Sequence, residues 1–202
     1  MRFGRVMLLA CVISTAAVSM TGCAFVDKHV VLTYTPRNRK PAVPAEGLVV
    51  VGPFADLREN PALVSEVRNG YGMHTANVYA EDENAGHWVA LALVAELRNQ
   101  GYAVETSDLP ADRHSNPHIG GSVPHVYAHL RVIPLLGGWY SARVKADVTL
   151  SLPSGTTWDT TVEGRASKGL WWGNTAEYEQ VLERALRDMM KDLVPQLRDR
   201  LD

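Results

Sequence analysis

The chain has 202 residues, of which 46% are hydrophobic and 21% are charged, and this composition excludes disorder along the whole length. Its 20 basic and 22 acidic residues argue against nucleic-acid binding, which needs clustered basic charge. The length is typical of one domain that follows a short targeting segment.

The first 22 residues have the features of a bacterial secretion signal. Arg2 and Arg5 give a positive start, and residues 6–18 form an apolar run that is too short to span a bilayer. Residues 20–23 read Met-Thr-Gly-Cys and resemble the lipobox of bacterial lipoproteins. The resemblance implies cleavage before Cys23, attachment of diacylglycerol to its sulfur, and acylation of the new amine by a fatty acid such as palmitate. An ordinary signal peptide cleaved elsewhere is the alternative.

The expected location is the periplasmic side of the outer membrane. Lipoproteins retained in the inner membrane often carry Asp after the lipidated cysteine, whereas this chain has Ala24. Each buried methylene contributes about 0.8 kcal/mol, so several acyl chains hold a domain firmly on a membrane. Loss of Cys11 with the signal and acylation of Cys23 leave the mature fold without a free thiol or a disulfide.

Residues 23–46 are predicted to be a lipid-anchored tether, since they are rich in proline. Within them, Val30–Tyr34 has the composition of a short strand. Leu48–Val51 predicts a buried strand that Gly52-Pro53 ends. Residues 47–202 are then expected to form a single α+β periplasmic domain.

Residues 56–86 show no strong period and are predicted to be a long irregular segment with one short strand near Asn77–Tyr79. A loop of that length in a compact domain is either functional or conceals a structural element. Helical periodicity predicts two helices, Ala85–Asn99 and Thr175–Val194 or beyond. Pro195 should kink or end the second helix.

Between the two helices the apolar pattern changes to period two. Tyr102–Glu105 predicts a short strand, and Val126–Val132 and Tyr140–Leu152 alternate between apolar and polar residues. After a turn, Trp158–Ala166 predicts the second strand of a hairpin. Strands with one apolar face favour an antiparallel sheet that is covered on one side. The predicted fold class is α+β, an antiparallel sheet of four to five strands with two helices packed on one face.

Several stretches carry a family resemblance. They are the lipobox with its short tether, Ala55–Arg58 after an apolar strand, the helix-to-strand junction at 97–104, and the stretch 140–190. In this order they resemble the YajG-type lipoproteins of Gram-negative bacteria. The resemblance covers most of the chain after the signal except residues 60–87. It implies an envelope lipoprotein and brings no catalytic site.

Four of the seven histidines lie within 16 residues. His114 and His118, with Asp112 as an oxygen ligand, are weak candidates for a metal site. His125 and His129 share one face of a strand but lie about 13 Å apart, too far to hold one ion. Histidines exposed to solvent are the simpler interpretation, and their protonation below about pH 6.5 would make this face pH-sensitive. No cofactor is expected.

Aromatic residues in predicted turns are candidate partner contacts. Trp171 and Trp172 lie between two glycines, and Trp139 and Tyr140 follow two more. Such residues either bind a partner or a membrane interface, or pack over the edge of the sheet. Asp56 and Arg58 predict a local ion pair in a turn, with partner binding as the alternative.

The sequence lacks the G-x-S-x-G elbow and the Walker A loop, and a mature chain without a free thiol excludes cysteine catalysis. The leading hypothesis is a non-enzymatic, lipid-anchored accessory or adaptor protein of the Gram-negative envelope that binds a protein or a glycan. The alternative is a carrier of a small ligand or lipid, with a pocket between helices and sheet that is lined by Met189, Met190 and aromatic residues. A closed apolar cavity of roughly 300 Å³ or more would favour that carrier. A metal-dependent enzyme of unrecognised type is the third hypothesis.

Overall fold

The computed structural model describes residues 26–36, 47–69, 71–81, 84–108, 115–133, 137–170 and 174–201. These ranges contain eight strands and two helices. The strands are β1 (Lys28–Val30), β2 (Leu48–Asp56), β3 (Leu63–Arg68), β4 (His74–Ala80), β5 (Ala103–Thr106), β6 (His118–Ile133), β7 (Gly137–Ser151) and β8 (Thr157–Leu170). The helices are α1 (Ala85–Asn99) and α2 (Thr175–Leu201).

The described strands form one mixed sheet around the long strands β6, β7 and β8, which pair as an antiparallel meander. Two strands share the other edge of β6, because β2 pairs in parallel with its first half and β3 with its second half. Strand β5 extends the sheet beyond β2, and β4 and β1 extend it beyond β3. The sheet therefore has a three-stranded base, β6 to β8, and two separate extensions that we call wings. One wing consists of β2 and β5, and the other of β3, β4 and β1.

The predicted antiparallel sheet of four to five strands is wrong in both size and strand direction. The described chain forms an eight-stranded sheet, in which the pairs β1–β4, β2–β5, β2–β6 and β3–β6 are parallel. Parallel neighbours come from distant parts of a chain. Alternation within a single strand therefore cannot reveal them, although it identified the long antiparallel strands.

Residues 56–86, predicted to be mostly irregular, contain the antiparallel hairpin of β3 and β4. The short strand expected near residue 77 is confirmed as β4. Strand β3 was not predicted, because Val64 and Ser65 are buried in succession and the pairing with β4 shifts register twice. Both features remove the period of two that identifies a strand in a sequence.

Strand β2 does not end at Gly52-Pro53 but continues to Asp56. Its register with β6 shifts between Val51 and Phe54, so the proline lies in an irregular part of the pairing. A bulge is one of the few sites in a sheet that tolerate a residue without a backbone N–H.

One apolar core lies between the sheet and the two helices, which also contact each other. Helix α2 lies very close to β8 at Gly164. A Cβ atom there would be 2.0 Å from the carbonyl oxygen of Ala185 and 2.4 Å from the backbone N of Met189. Helix α2 also continues through Pro195 to Leu201 instead of ending near the proline. None of the described helices combines the length and apolar character needed to cross a membrane.

The segment at 28–36, within the predicted tether, lies along α2. The backbone N–H of Val31 donates to Glu179 Oε1 at 3.1 Å, and that of Thr35 donates to Glu183 Oε1 at 3.0 Å. Together with the pairing of β1 to β4, these bonds make the segment part of the folded body.

Candidate functional site

The polar positions of the three long strands form the face of the sheet that is opposite the core. Pairing across β6, β7 and β8 places them in three adjacent rows. Neither described helix packs on this side, because both contact the buried residues that alternate with these positions. We call this set the open face: His125, Tyr127, His129, Ser141, Arg143, Lys145, Glu163, Arg165 and Ser167.

A broad depression of about 590 Å³ lies on the open face and is open to solvent. Its lining from β6 consists of His125, Tyr127 and His129. Arg143 of β7 and Arg165 of β8 line it on the other side. Ala142 and Ala166 also border it. The site is therefore a shallow surface with aromatic, basic and hydroxyl groups.

Glu163 organises the charge of the open face. It accepts hydrogen bonds from Arg143 and from Arg165, and these bonds, in that order, lower the pKa of Glu163 to about 2. The same bond to Glu163 raises the pKa of Arg143. The arginine side chains remain 49% and 73% exposed, so both can also contact a partner.

On the aromatic side of the depression, the surroundings of His125 and Tyr127 favour the uncharged forms of both rings. The rings of His125 and Tyr127 lie 6.3 Å apart between centroids. Partial burial lowers the pKa of His125, and the positive charge of Arg143 acts in the same direction. Burial also raises the pKa of Tyr127. These two rings therefore offer stacking and apolar contacts next to the arginines.

Trp139 and Tyr140 lie within β7 rather than in a turn, and they point to opposite faces of the sheet. Trp139 is 51% exposed and is paired with Arg131 at the end of β6. Tyr140 is fully buried, with its ring 4.8 Å from that of Tyr178 on α2 in an edge-to-face arrangement. Burial raises the pKa of Tyr140 to about 12. Of the two, Trp139 is the one that a partner can reach.

Asp56 and Arg58 form an ion pair at 2.7 Å with side chains only 10% and 6% exposed, respectively. Arg58 also donates to the carbonyl oxygens of Pro61 and Leu63, and Asp56 accepts from the backbone N–H of Ala85. Burial favours a higher pKa for Asp56, but the hydrogen bonds from Arg58 and Ala85 hold that pKa below its usual value. The pair therefore connects the end of β2, the next loop and the start of α1.

His118, the described member of the metal candidates, is 2% exposed. It lies against Gly52, where a Cβ atom would be 2.4 Å from the imidazole Cε1. Within the described ranges, no three His, Cys, Asp or Glu side chains are grouped so that they could hold a metal ion. The remaining candidates lie outside the described residues: Asp112, His114, Trp171, Trp172 and the lipidation candidate Cys23.

The cleft between the two helices has a volume of about 240 Å³. Met190 and Val194 border it together with the charged residues Glu96, Arg187 and Lys191. Met190 is otherwise buried in the core, and Met189 is buried there too. The cleft therefore differs from the closed apolar cavity that a lipid carrier requires.

Sequence periodicity predicted which side chains of β6 and β7 point away from the core. It did not predict that Tyr127, Arg143 and Arg165 lie side by side. Lateral neighbours depend on the register of three strands, and the β6–β7 register shifts between Ser122 and His125. The signal available in the sequence was the concentration of arginine and aromatic residues at the polar positions of these strands.

No protein-family model matches the chain, and a comparison with curated proteins finds no significant match. Among solved structures, an uncharacterised protein matches with 13% sequence identity and a TM-score of 0.54, covering 85% of this chain and 99% of the other. The protein XCC0632 from Xanthomonas campestris, described as a DUF330 protein, has 13% identity, a TM-score of 0.53 and coverage of 87% and 99%. A minor lipoprotein from Acinetobacter baumannii has 9% identity, a TM-score of 0.37 and coverage of 78% and 91%.

The first two matches show that this fold occurs in other proteins of very different sequence. The third match is too distant to support an argument about this chain. The resemblance to YajG-type lipoproteins, which came from short sequence motifs, stays a prediction.

Proposed function

We propose that this chain is a non-enzymatic, lipid-anchored adaptor of the bacterial envelope that binds a partner protein through the open face. The observation that carries the proposal is the aromatic and basic depression on the side of the sheet that neither described helix covers. Tyrosine and arginine are the residue types that, with tryptophan, contribute most to binding energy at protein interfaces.

A protein partner fits the open face better than a glycan does. Sugar hydroxyl groups need hydrogen-bond acceptors as well as donors, and Glu163, the carboxylate of the open face, is already engaged by Arg143 and Arg165. A broad and shallow surface with exposed guanidinium groups instead suits the carboxylate and carbonyl groups of a polypeptide.

The lipobox at residues 20–23 and Ala24 support the placement of the adaptor on the periplasmic side of the outer membrane. The cleft between the helices gives no comparable support to the carrier hypothesis, since it is small and has a charged rim. Under this proposal the lipid restricts the protein to the membrane surface, and the sheet presents the binding site.

Photocrosslinking in intact cells tests the adaptor proposal. A photoreactive residue replaces Tyr127 on the open face or, as a control, Leu91, which is 50% exposed on α1. We expect position 127 to capture one discrete protein that position 91 does not capture. The variant Arg143→Ser combined with Arg165→Ser should reduce that capture, because it removes both guanidinium groups.

Equal and unselective capture at positions 127 and 91 would contradict the proposal. Selective capture of a carbohydrate at position 127 would show that the partner is a glycan and not a protein.

A further inference from the structure

The ends of several strands meet at one end of the sheet, which we call the anchor end. Strands β3 and β6 are parallel and finish there, whereas β4 and β7 are antiparallel to them and begin there. Strand β1 is parallel to β4 but begins four residues further along it, with Lys28 beside Val78. The chain that precedes β1 and leads back towards Cys23 therefore runs towards this end, with Asp27 beside Asn77.

Exposed apolar side chains are concentrated at the anchor end. The described residues include seven large hydrophobic side chains that are exposed, and four of them lie at or next to this end. Tyr71 is 90% exposed and Met73 59% exposed in the turn between β3 and β4, Val26 precedes β1 with 62% exposure, and Trp139 near the start of β7 is 51% exposed.

The turn that carries Tyr71 and Met73 is held by specific hydrogen bonds. The side-chain oxygen Oδ1 of Asn69 accepts from the backbone N–H groups of both residues at 3.0 Å. The N–H of Gly72, which has a φ of +82°, donates to the carbonyl of Asn69 at 2.9 Å. Arg68 Nη1 donates to the carbonyl of Gly72 at 3.2 Å. The fold therefore holds two apolar side chains in solvent on a well-defined turn.

The lipid anchor of the proposed function must lie close to this turn. Asp27 is fixed beside β4, because its Oδ1 accepts the backbone N–H of Asn77 at 2.7 Å. Three Cα–Cα steps separate Val26 from Cys23, so the two Cα atoms are at most about 11 Å apart in any conformation. Acyl chains on Cys23 would consequently enter the bilayer next to the anchor end.

The charges at the anchor end suit the headgroup region of a membrane. Arg68 and Arg131 are basic and lie side by side, and Glu66 is the partner of Arg68 in an ion pair. Asp27 and Lys28 lie further along β4. Tyrosine and tryptophan prefer the membrane–water interface, and arginine and lysine bind anionic headgroups.

We propose that the anchor end is a second, non-covalent membrane contact, in which Tyr71, Met73, Val26 and Trp139 insert at the lipid headgroup level. The inference rests on the proposed function for its anchor. It deepens that function, because it orients the strands roughly perpendicular to the membrane. The open face is then also perpendicular to the membrane surface. A partner would then approach along the membrane surface.

Spin labels on the acylated, full-length mature protein in vesicles of phosphatidylethanolamine and phosphatidylglycerol test this contact. Labels are placed by Tyr71→Cys or Met73→Cys, with Leu57→Cys and Leu91→Cys as controls, because those leucines are also exposed, at 61% and 50%. Collision rates with oxygen, which is enriched in the bilayer, are compared with those of a water-soluble nickel chelate. We expect the oxygen-to-nickel ratio to be about fivefold higher at positions 71 and 73 than at the controls.

A mass measurement on the same protein separates the two proposals. If Cys23 is acylated and all four labels are equally accessible to the nickel chelate, the membrane contact is overturned and the anchor stands. If Cys23 carries no lipid, the anchor proposal fails, and the ratio at positions 71 and 73 after vesicles are added still decides whether the turn binds lipid. Spin–spin broadening between labels at position 71 would assign the surface to a second copy of the chain and overturn the membrane contact.

Discussion

The ion pair of Asp56 and Arg58 shows how burial changes the role of two residues that look available for binding in the sequence. Arg58 has hydrogen bonds to one carboxylate and two backbone carbonyls, so little of its bonding capacity remains for a partner. The pair joins β2 to α1 because Asp56 also accepts the first N–H group of the helix. Its contribution is therefore expected in the stability of the fold.

We expect Asp56→Ala to lower the free energy of unfolding by about 3 kcal/mol, because it leaves the Arg58 charge buried without its partner. The matched control is Glu66→Ala, which breaks the pair with Arg68, whose side chains are 28% and 46% exposed. That change should cost less than about 1 kcal/mol. Urea unfolding of both variants measures the difference, and equal losses would contradict the structural role.

The same pair gives the stability of the protein a dependence on acidic pH. The pKa of folded Asp56 lies below its usual value of 3.8. The unfolded chain therefore takes up a proton at higher pH than the folded protein does. The stabilisation should be fully present above the usual pKa and lost as the pH falls through the folded pKa, and the Asp56→Ala variant should lack this part of the acid dependence in urea unfolding.

His125 should titrate with a midpoint below its usual value of 6.5, because partial burial and the neighbouring Arg143 both oppose its protonation. Arg58 and Lys145 act in the same direction, whereas Glu163 opposes them. The folded protein should therefore lose stability relative to the unfolded chain as the pH falls below 6.5. Proton NMR of the imidazole Cε1–H measures the midpoint.

Arg143→Gln should move the His125 midpoint upward, since it removes a nearby positive charge. A midpoint at or above 6.5 in the unmodified protein would show that burial and charge do not act on His125 as the structure indicates.

Among the elements, α2 and β8 are in close backbone contact at Gly164. At Gly164 an added Cβ atom would meet backbone atoms of Ala185 and Met189, which cannot move aside as a flexible side chain can. The helix must therefore shift away from the sheet if this glycine is replaced. Such a shift would loosen the packing of α2 against the core.

We expect Gly164→Ala to lower the free energy of unfolding by about 3 kcal/mol through this overpacking. Gly120→Ala is the control, since its added Cβ atom would lie 3.5 Å from the nearest atom outside neighbouring residues, the carbonyl oxygen of Pro53. That substitution should change the stability by no more than about 0.5 kcal/mol. Thermal and urea unfolding provide the comparison, and similar stabilities would show that α2 packs less tightly than described.

Two sheet edges are partly blocked by side chains from the helices. Asp188 of α2 accepts the backbone N–H of Arg165 on β8 at 3.2 Å, and Arg98 of α1 donates to the carbonyl of Val104 on β5 at 2.9 Å. Unpaired backbone groups at an edge can recruit a strand from another chain. Asp188 reduces that tendency at the long edge formed by β8, and Arg98 reduces it at the edge formed by β5.

At the scale of the whole molecule, the sequence predicted the two helices and the outward positions of β6 and β7, because both depend on local periodicity. The sheet was underestimated because the wings depend on parallel pairing and register shifts, as at β3 and Pro53. Predicting the open face would have required the register of three strands. Predicting the anchor end would have required the strand directions, which turn the chain before β1 towards the hairpin that carries Tyr71.

The molecule thus combines a packed side, where the helices enclose the core, with an open face and an anchor end. Under the two proposals, the anchor end contacts the membrane and the open face binds a partner at its surface. The orientation of both surfaces relative to the bilayer depends on a lipid at residue 23, since the lipid determines which end of the sheet faces the membrane.

Mass spectrometry of the amino-terminal peptide of the mature protein, purified from membranes, tests this dependence most directly. The account predicts that the peptide begins at Cys23 and carries a diacylglycerol group with a further acyl chain on its amine. An unmodified thiol at Cys23, or a mature protein that still carries Arg2 and Arg5, would contradict the account.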